Sequence, residues 1–190
     1  MKHKKAIFAL IVAVVIIAAI GSITNHYLQR NVFYPLDHYD NVVRNVDKYN
    51  IDPLLIMAII KAESNFNEKV VSHKGAVGLM QITPRTGEWI AEQMGMTHYN
   101  INMLKSPYRS IDMGVWYIDY LIDYYDGNRN LALAAYNAGT GNIDKWLENG
   151  KIKETGDIIT LPYKETSDYI VRINTYYRRY HQLYAKELQR

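Results

Sequence analysis

Glu63 stands near the end of an apolar stretch, with Ile59 and Ile60 four and three residues before it and Phe66 three after. On a helix these are its neighbours, so its carboxyl group projects from an apolar wall. Removal from water disfavours the ionised form, and the negative end of the helix dipole adds to that. A raised pKa is therefore expected, and a carboxylic acid still protonated near neutral pH can hand a proton to a leaving oxygen. Taken alone, a helix-exit glutamate more often turns to solvent, because ionisable side chains are seldom buried. The chain that follows changes the reading. Ser72-x-x-Gly75-Ala76-x-Gly78-Leu79-Met80-Gln81-Ile82-x-Pro84 is a glycine-punctuated loop running into a second helix signal at Thr83-Pro84. Glycines there allow close backbone approach to a ligand, and Gln81 offers both a donor and an acceptor.

Other chemistries find less support. Ser64 directly follows the proposed acid, but no histidine stands in a recognisable relation to it, so a hydrolase triad is not indicated. The six histidines are scattered, with no i, i+4 pair plus third ligand and no acidic calcium loop. No metal, no cofactor and no nucleotide loop are expected.

Four motifs occur in order: Glu63-Ser64-x-Phe66, the Ser72 to Pro84 run, Ala135-Tyr136-Asn137-Ala138-Gly139, and Glu165-Thr166-x-x-Tyr169. Together they resemble the motif set of the soluble lytic transglycosylase catalytic domain, a goose-type lysozyme-like fold that cleaves peptidoglycan. The resemblance covers roughly Ile51 to Tyr184, and Ile170 stands where that family more often has Val. It implies Glu63 as the single catalytic acid. It implies a cleft lined by Ser64, Ser72, Gly78, Met80 and Gln81, with Tyr136 and Asn137 touching sugar or supporting Glu63. Glu165 and Tyr169 would face the cleft and orient the acid. The implied reaction is non-hydrolytic cleavage between N-acetylmuramic acid and N-acetylglucosamine, leaving 1,6-anhydro ends. A hydrolytic muramidase on the same fold, and a catalytically silent wall-binding or scaffold protein, stay open as alternatives.

Helices must position these residues. Asp52 can cap and Pro53 suits the first turn of a central helix whose Leu54, Leu55, Met57, Ile59, Ile60 and Phe66 make it apolar on most of its circumference, hence buried. Before it, Asp37 to Lys48 carries Tyr39, Val42, Val43 and Val46 at helical spacing, a helix packing on the central one. Thr83 to Met94 reads as a capped helix with Trp89, Ile90 and Met94 on one side and Gly95 as its stop. Thr97 to Lys105 reads as a loop. Ser106-Pro107 opens a longer helix to about Tyr125, ended by Gly127. Shorter helices follow at Leu131 to Ala138 and Asn142 to Leu147, then an irregular loop from Lys151 to Pro162, then a last helix from Lys164 to about Glu187. No stretch shows strand alternation, and the class is all-α. Of seventeen tyrosines, Tyr117, Tyr120, Tyr124, Tyr125, Tyr176, Tyr177, Tyr180 and Tyr184 fit helical faces and read mostly as core. A minority is expected to line a groove, where amphipathic rings stack on sugars.

The N-terminus is organised differently. Lys2, Lys4 and Lys5 precede Ala6 to Ile23, 18 residues without a charge. As a helix that run spans roughly 27 Å, close to a bilayer core. It is long for a signal peptide, although Ala19-Ile20-Gly21 is a passable cleavage site. Residues 1–23 are therefore expected as a membrane anchor (or signal sequence), 24–36 as a short connector, and 37–190 as the catalytic domain. The lysines place the N-terminus in the cytoplasm and the catalytic domain outside the cell membrane, as a single-pass protein. The net charge of +3 belongs to this leader: without its three lysines, the remaining basic residues equal the 19 acidic ones. A neutral outer domain argues against a nucleic-acid partner. The expected partners are peptidoglycan glycan strands, the membrane, and cell-wall or secretion machinery. The absence of cysteine excludes a disulfide framework and a lipid-anchoring thiol.

Overall fold

In the computed structural model residues 2–155 and 158–188 are described. Met1, Gly156, Asp157 and the last two residues, which belong to the expected anchor, loop and last helix or its end, lie outside the described residues. The chain divides into two compact units, Met1–Leu36 and Asp37–Arg190.

The first unit is one helix, α1 (Lys2–Leu28), running directly into a π-helical stretch, Gln29–Phe33. Tyr34 N–H closes that stretch on Gln29 O at 2.8 Å. The expected connector is thus helical for much of its length. Lys5–Phe33 is long and apolar enough to cross a membrane, by length and composition. Its large apolar residues, Ile7 to Ile23, are exposed rather than packed on protein.

The second unit is built around α3 (Pro53–Ser64). Asp52 accepts from Leu54 N–H at 2.8 Å with Pro53 in the first turn, the expected start. Every residue from Leu54 to Ile60 is buried. Burial of each large aliphatic side chain is worth about 1.5–3 kcal/mol, which only a helix covered on all sides can collect. The long last helix α8 (Lys164–Leu188) packs along α3, with α2 (Tyr39–Val46) against another side. The helix ends two residues short of Phe66: Asn65 and Phe66 both adopt left-handed backbone, φ 47° and 65°. Phe66 is therefore not on Glu63's helical face, because Asn65 tolerates that conformation and closes the helix with its N–H on Lys61 O at 3.2 Å.

The other helices are α4 (Pro84–Gln93), α5 (Pro107–Tyr124), α6 (Arg129–Ala138) and α7 (Thr140–Glu148). α6 packs on α5, α7 and α8. Thr83 caps α4, Asn128 caps α6, and Gly127 N–H closes α5 on Ile122 O at 2.8 Å.

Four local expectations are corrected. Val43 is exposed, since Val42, Asn45 and Val46 form the buried face of α2. Trp89 leaves the Ile90 face of α4, where Gly87 and Ala91 are buried instead. The 97–105 loop contains a 3-10 helix, Ile101–Lys105. The 151–162 loop contains an antiparallel hairpin, β1 (Lys153–Thr155) and β2 (Ile158–Thr160), with Lys153 opposite Thr160. Strands of three residues are too short for alternation to register in sequence. The hairpin buries Ile159 and Leu161 beside α8.

Asp52 also ties α8 to the start of α3. Its Oδ2 accepts from the Tyr177 hydroxyl at 2.8 Å and lies 2.7 Å from His181 Nε2. Replacing Asp52 with Ala removes the cap and both ties, and is expected to destabilise the second unit by about 1–3 kcal/mol. Thermal unfolding followed by circular dichroism reads the loss, and an unchanged Tm would remove Asp52 from this role.

Candidate active site

Glu63 occupies the last turn of α3, at the negative end of its dipole. Tyr169, buried on α8, donates its hydroxyl to Glu63 Oε1 at 2.5 Å. Burial raises the Glu63 pKa from 4.5 to about 7; the Tyr169 hydrogen bond and the Arg172 charge pull it the other way. Burial wins, so near neutral pH a large share of Glu63 carries its proton. Tyr136 and Tyr169 both have hydroxyl pKa values pushed well above 10, by burial first and then by the Glu63 charge. They remain donors wherever the protein is folded near neutrality.

Tyr136 braces the loop after α3 rather than bonding the acid. Its hydroxyl donates to Met80 O at 2.6 Å, and Met80 N–H donates to the buried Ser110 Oγ at 3.1 Å. Met80 does not offer its side chain to a cleft: it is fully buried, in the space left by Gly114 of α5, where an added Cβ would lie 2.2 Å from Sδ. Gly78 is glycine for a related reason. With φ at +78°, a Cβ there would lie 1.9 Å from Leu104 O, so the close approach of protein backbone already requires glycine here. Gln81, itself at φ 48°, donates Nε2 to Val70 O at 3.2 Å and Gly78 O at 2.9 Å, which leaves its carbonyl oxygen as an acceptor. Ser72 clasps the loop by accepting Ala76 N–H on Oγ at 3.1 Å. Ser64 Oγ folds back onto Ile60 O at 3.1 Å.

Asn137 is exposed at the end of α6, and its Oδ1 accepts from Thr166 Oγ at 2.9 Å, which ties α6 to the first turn of α8. Glu165 is exposed in the first turn of α8, one residue before buried Thr166 and four before buried Tyr169.

Three residues escaped the sequence reading. Thr166 lay inside a quoted motif, on the same face as Tyr169. Arg172 follows Tyr169 by one turn and sits 5.9 Å from the centre of its ring; that i, i+3 spacing was the available signal. Ser110 gave none, being 30 residues from its partner.

Beside Tyr136 a groove of about 670 Å³ opens, lined by Arg85, Thr86 and Trp89 of α4, Tyr117, Tyr120 and Tyr124 of α5, and residues 138–142 where α6 meets α7. The lining rings are connected, Trp89 lying 5.0 Å from Tyr120 and 6.0 Å from Tyr117, and behind them Trp116 stacks on Tyr120 at 5.7 Å and Tyr136 packs on Tyr117 at 5.4 Å.

The family described as Transglycosylase SLT domain matches residues 40–159, and the chain belongs to it. The soluble lytic murein transglycosylase of Salmonella typhimurium is 33% identical over 166 residues, which cover 84% of this chain and 25% of that protein. Membrane-bound lytic murein transglycosylase C of Glaesserella parasuis is 31% identical over 165 residues, 75% of this chain and 45% of that protein. Among solved structures, an inactive mutant of lytic transglycosylase Slt from Pseudomonas aeruginosa, with glutamate changed to glutamine, matches with a TM-score of 0.71 at 31% identity, over 82% of this chain and 25% of that one. The chain thus spans between a quarter and a half of the length of these relatives. The all-α, lysozyme-like class expected from the motifs agrees with this fold.

Removing the Tyr169 hydroxyl takes away a bond that favours the carboxylate, so Tyr169→Phe is expected to raise the Glu63 pKa above about 7. Arg172→Gln acts in the same direction. NMR titration of a labelled Glu63 carboxyl measures both, and a downward shift would contradict the arrangement. The linkage has a definite sign. The folded pKa lies above the unfolded one, so this group's stabilisation is complete below about 4.5 and lost as pH rises through about 7.

Proposed function

We propose that the chain is a membrane-anchored lytic transglycosylase acting on peptidoglycan, with Glu63 as its single acid and base. The supporting observation is a carboxyl group at the end of a buried helix, with a pKa of about 7, held by one tyrosine hydroxyl. Most glycosidases use two carboxylates, one of them as nucleophile or base. Here the charges and bonds that act on Glu63 come from Tyr169 and Arg172, and neither is a carboxylate. A muramidase would need a second carboxylate to direct water. The inactive glutamate-to-glutamine relative is in keeping with one indispensable acid.

The chemistry balances without water. Glu63 protonates the oxygen bridging C1 of N-acetylmuramic acid and C4 of N-acetylglucosamine, and the C1–O bond breaks. The muramic acetamido oxygen stabilises the cationic C1. Glu63, now ionised, takes the proton from the sugar's own 6-hydroxyl as O6 bonds to C1. The 1,6-anhydro ring closes, and Glu63 ends protonated as it began. A pKa near 7 suits both halves of this cycle. Tyr169 orients the carboxyl throughout. The open donors and acceptors nearby, Gln81 Oε1 and the Asn137 amide, serve the sugar's polar groups, while Tyr136 keeps the Met80 segment in place.

The α1 helix is the anchor in this reading. The lysines in its first turn favour a cytoplasmic N-terminus, and a relative bears the name of a membrane-bound enzyme. After cell fractionation the full chain is expected in the membrane pellet through a carbonate wash, with the catalytic unit digested by protease added outside spheroplasts. A protease-resistant catalytic unit would reverse the orientation.

Glu63→Gln is expected to reduce release of muropeptides from purified peptidoglycan by roughly 10²- to 10⁴-fold with the Tm retained. Mass spectrometry of the products decides the reaction: anhydro ends support transglycosylation, whereas ends heavier by one water mean a muramidase. Activity of the unmodified protein should fall as pH rises through about 7, as the acid loses its proton.

A further inference from the structure

The groove between α4, α5 and the α6–α7 junction has a property that neutral sugar binding does not require. Its aromatic floor presents Trp89, Tyr120 and the exposed ring of Tyr124, rings suited to the apolar faces of pyranosides. No carboxylate lines it, but Arg85 does, exposed and without an ion pair among the described residues. Three other arginines of this unit are engaged: Arg109 pairs with Asp112, Arg129 lies over Tyr177, and Arg172 lies over Tyr169. Two neighbouring polar side chains of the groove each hold their own turn: Thr86 Oγ bonds Thr83 Oγ at the start of α4, and Asn142 Nδ2 donates to Ala138 O. Arg85 is thus the charged group of the groove left with nothing to bind.

We propose that Arg85 is a specificity residue that takes a carboxylate carried by the glycan strand while the aromatic floor holds the sugar rings. The ligand class is an acid-bearing amino-sugar oligomer, in which every second ring carries a lactyl acid or a peptide ending in carboxylates. An N-acetylglucosamine oligomer has the same ring backbone and lacks those acids. A planar guanidinium meets a carboxylate with two parallel hydrogen bonds, and it does so more selectively than an ammonium. The groove adjoins the acid through Tyr117, which packs on Tyr136, so a strand lying there extends from the reacting linkage. This inference rests on the peptidoglycan reading above and adds to it a choice between acidic and neutral strands.

The test uses the full chain in detergent carrying Glu63→Gln, so that ligand is bound without turnover. Tryptophan fluorescence reports binding, because Trp89 lies in the groove. The probes are a tetrasaccharide of alternating N-acetylglucosamine and N-acetylmuramic acid, and chitotetraose. Arg85→Gln is expected to weaken the acidic tetrasaccharide roughly tenfold, to leave chitotetraose within twofold, and to lose its effect at high salt. Arg85→Lys should fall between, keeping the charge without the fork. Trp89→Ala, read by titration calorimetry because it removes the reporter, should weaken both ligands. If Arg85→Gln leaves the acidic ligand within twofold, or weakens the two ligands equally, the proposal is overturned. Product mass from the protein with Glu63 intact separates this failure from a wider one. Anhydro muropeptides with an indifferent Arg85 sink only the specificity assignment; no cleavage at all sinks the activity on which it rests.

Discussion

A carboxyl group withdrawn from water keeps its proton, and the second unit of this protein is arranged to withdraw one. Seven consecutive buried residues of α3 carry Glu63 to the edge of the core, where burial outweighs both the Tyr169 hydrogen bond and the Arg172 charge. The balance matters in both directions. Deeper burial without Tyr169 would raise the pKa further and make the group a reluctant proton donor, and full exposure would make it a carboxylate that has no proton to give.

That constraint explains how α3 and α8 are joined. Asp52, at the start of α3, holds Tyr177 and His181 of α8; Glu63, at its end, holds Tyr169. The two helices are pinned near both ends of their contact, so the tyrosine cannot slide along the acid. One side chain at each end does two jobs. Asp52 caps a helix and ties a second one, and Tyr169 fills the core and orients a carboxyl.

The loop from Val70 to Ile82 illustrates a different economy. Its short backbone bridges, Val71 with Val77 and Val77 with Ile82, fold it into a compact knot against α5. Gly78 admits the Leu104 carbonyl, Gly114 admits Met80, and Ser110 and Tyr136 take the two polar groups of the Met80 backbone. Residues that look like a ligand-gripping sequence are mostly spent on holding one another. What remains for a ligand is the surface this packing exposes: one face of Gln81, the end of α6, and the aromatic groove. The tyrosines divide accordingly, with Tyr180 and Tyr184 in the core and Tyr120 and Tyr124 on the groove.

Local rules were enough to read much of this protein from its sequence. The caps at Asp52 and Thr83, the stop at Gly127, the apolar circumference of α3 and the charge-free Ala6 to Ile23 run within α1 are each set by residues within one or two turns, and all are legible there. The raised pKa of Glu63 was legible too, since burial follows from its helical neighbours Ile59 and Ile60, although Phe66 proved to lie past the helix end. Tertiary structure alone decided which partners meet: Ser110 with Met80 across 30 residues, Asn137 with Thr166 across 29, Tyr169 with Glu63 across 106. It also left Glu165 exposed beside buried Thr166, buried Met80 and gathered Trp89 with Tyr120 into a groove. Those outcomes depend on how helices pack face to face, and periodicity shows that a face is apolar without showing which other face will cover it.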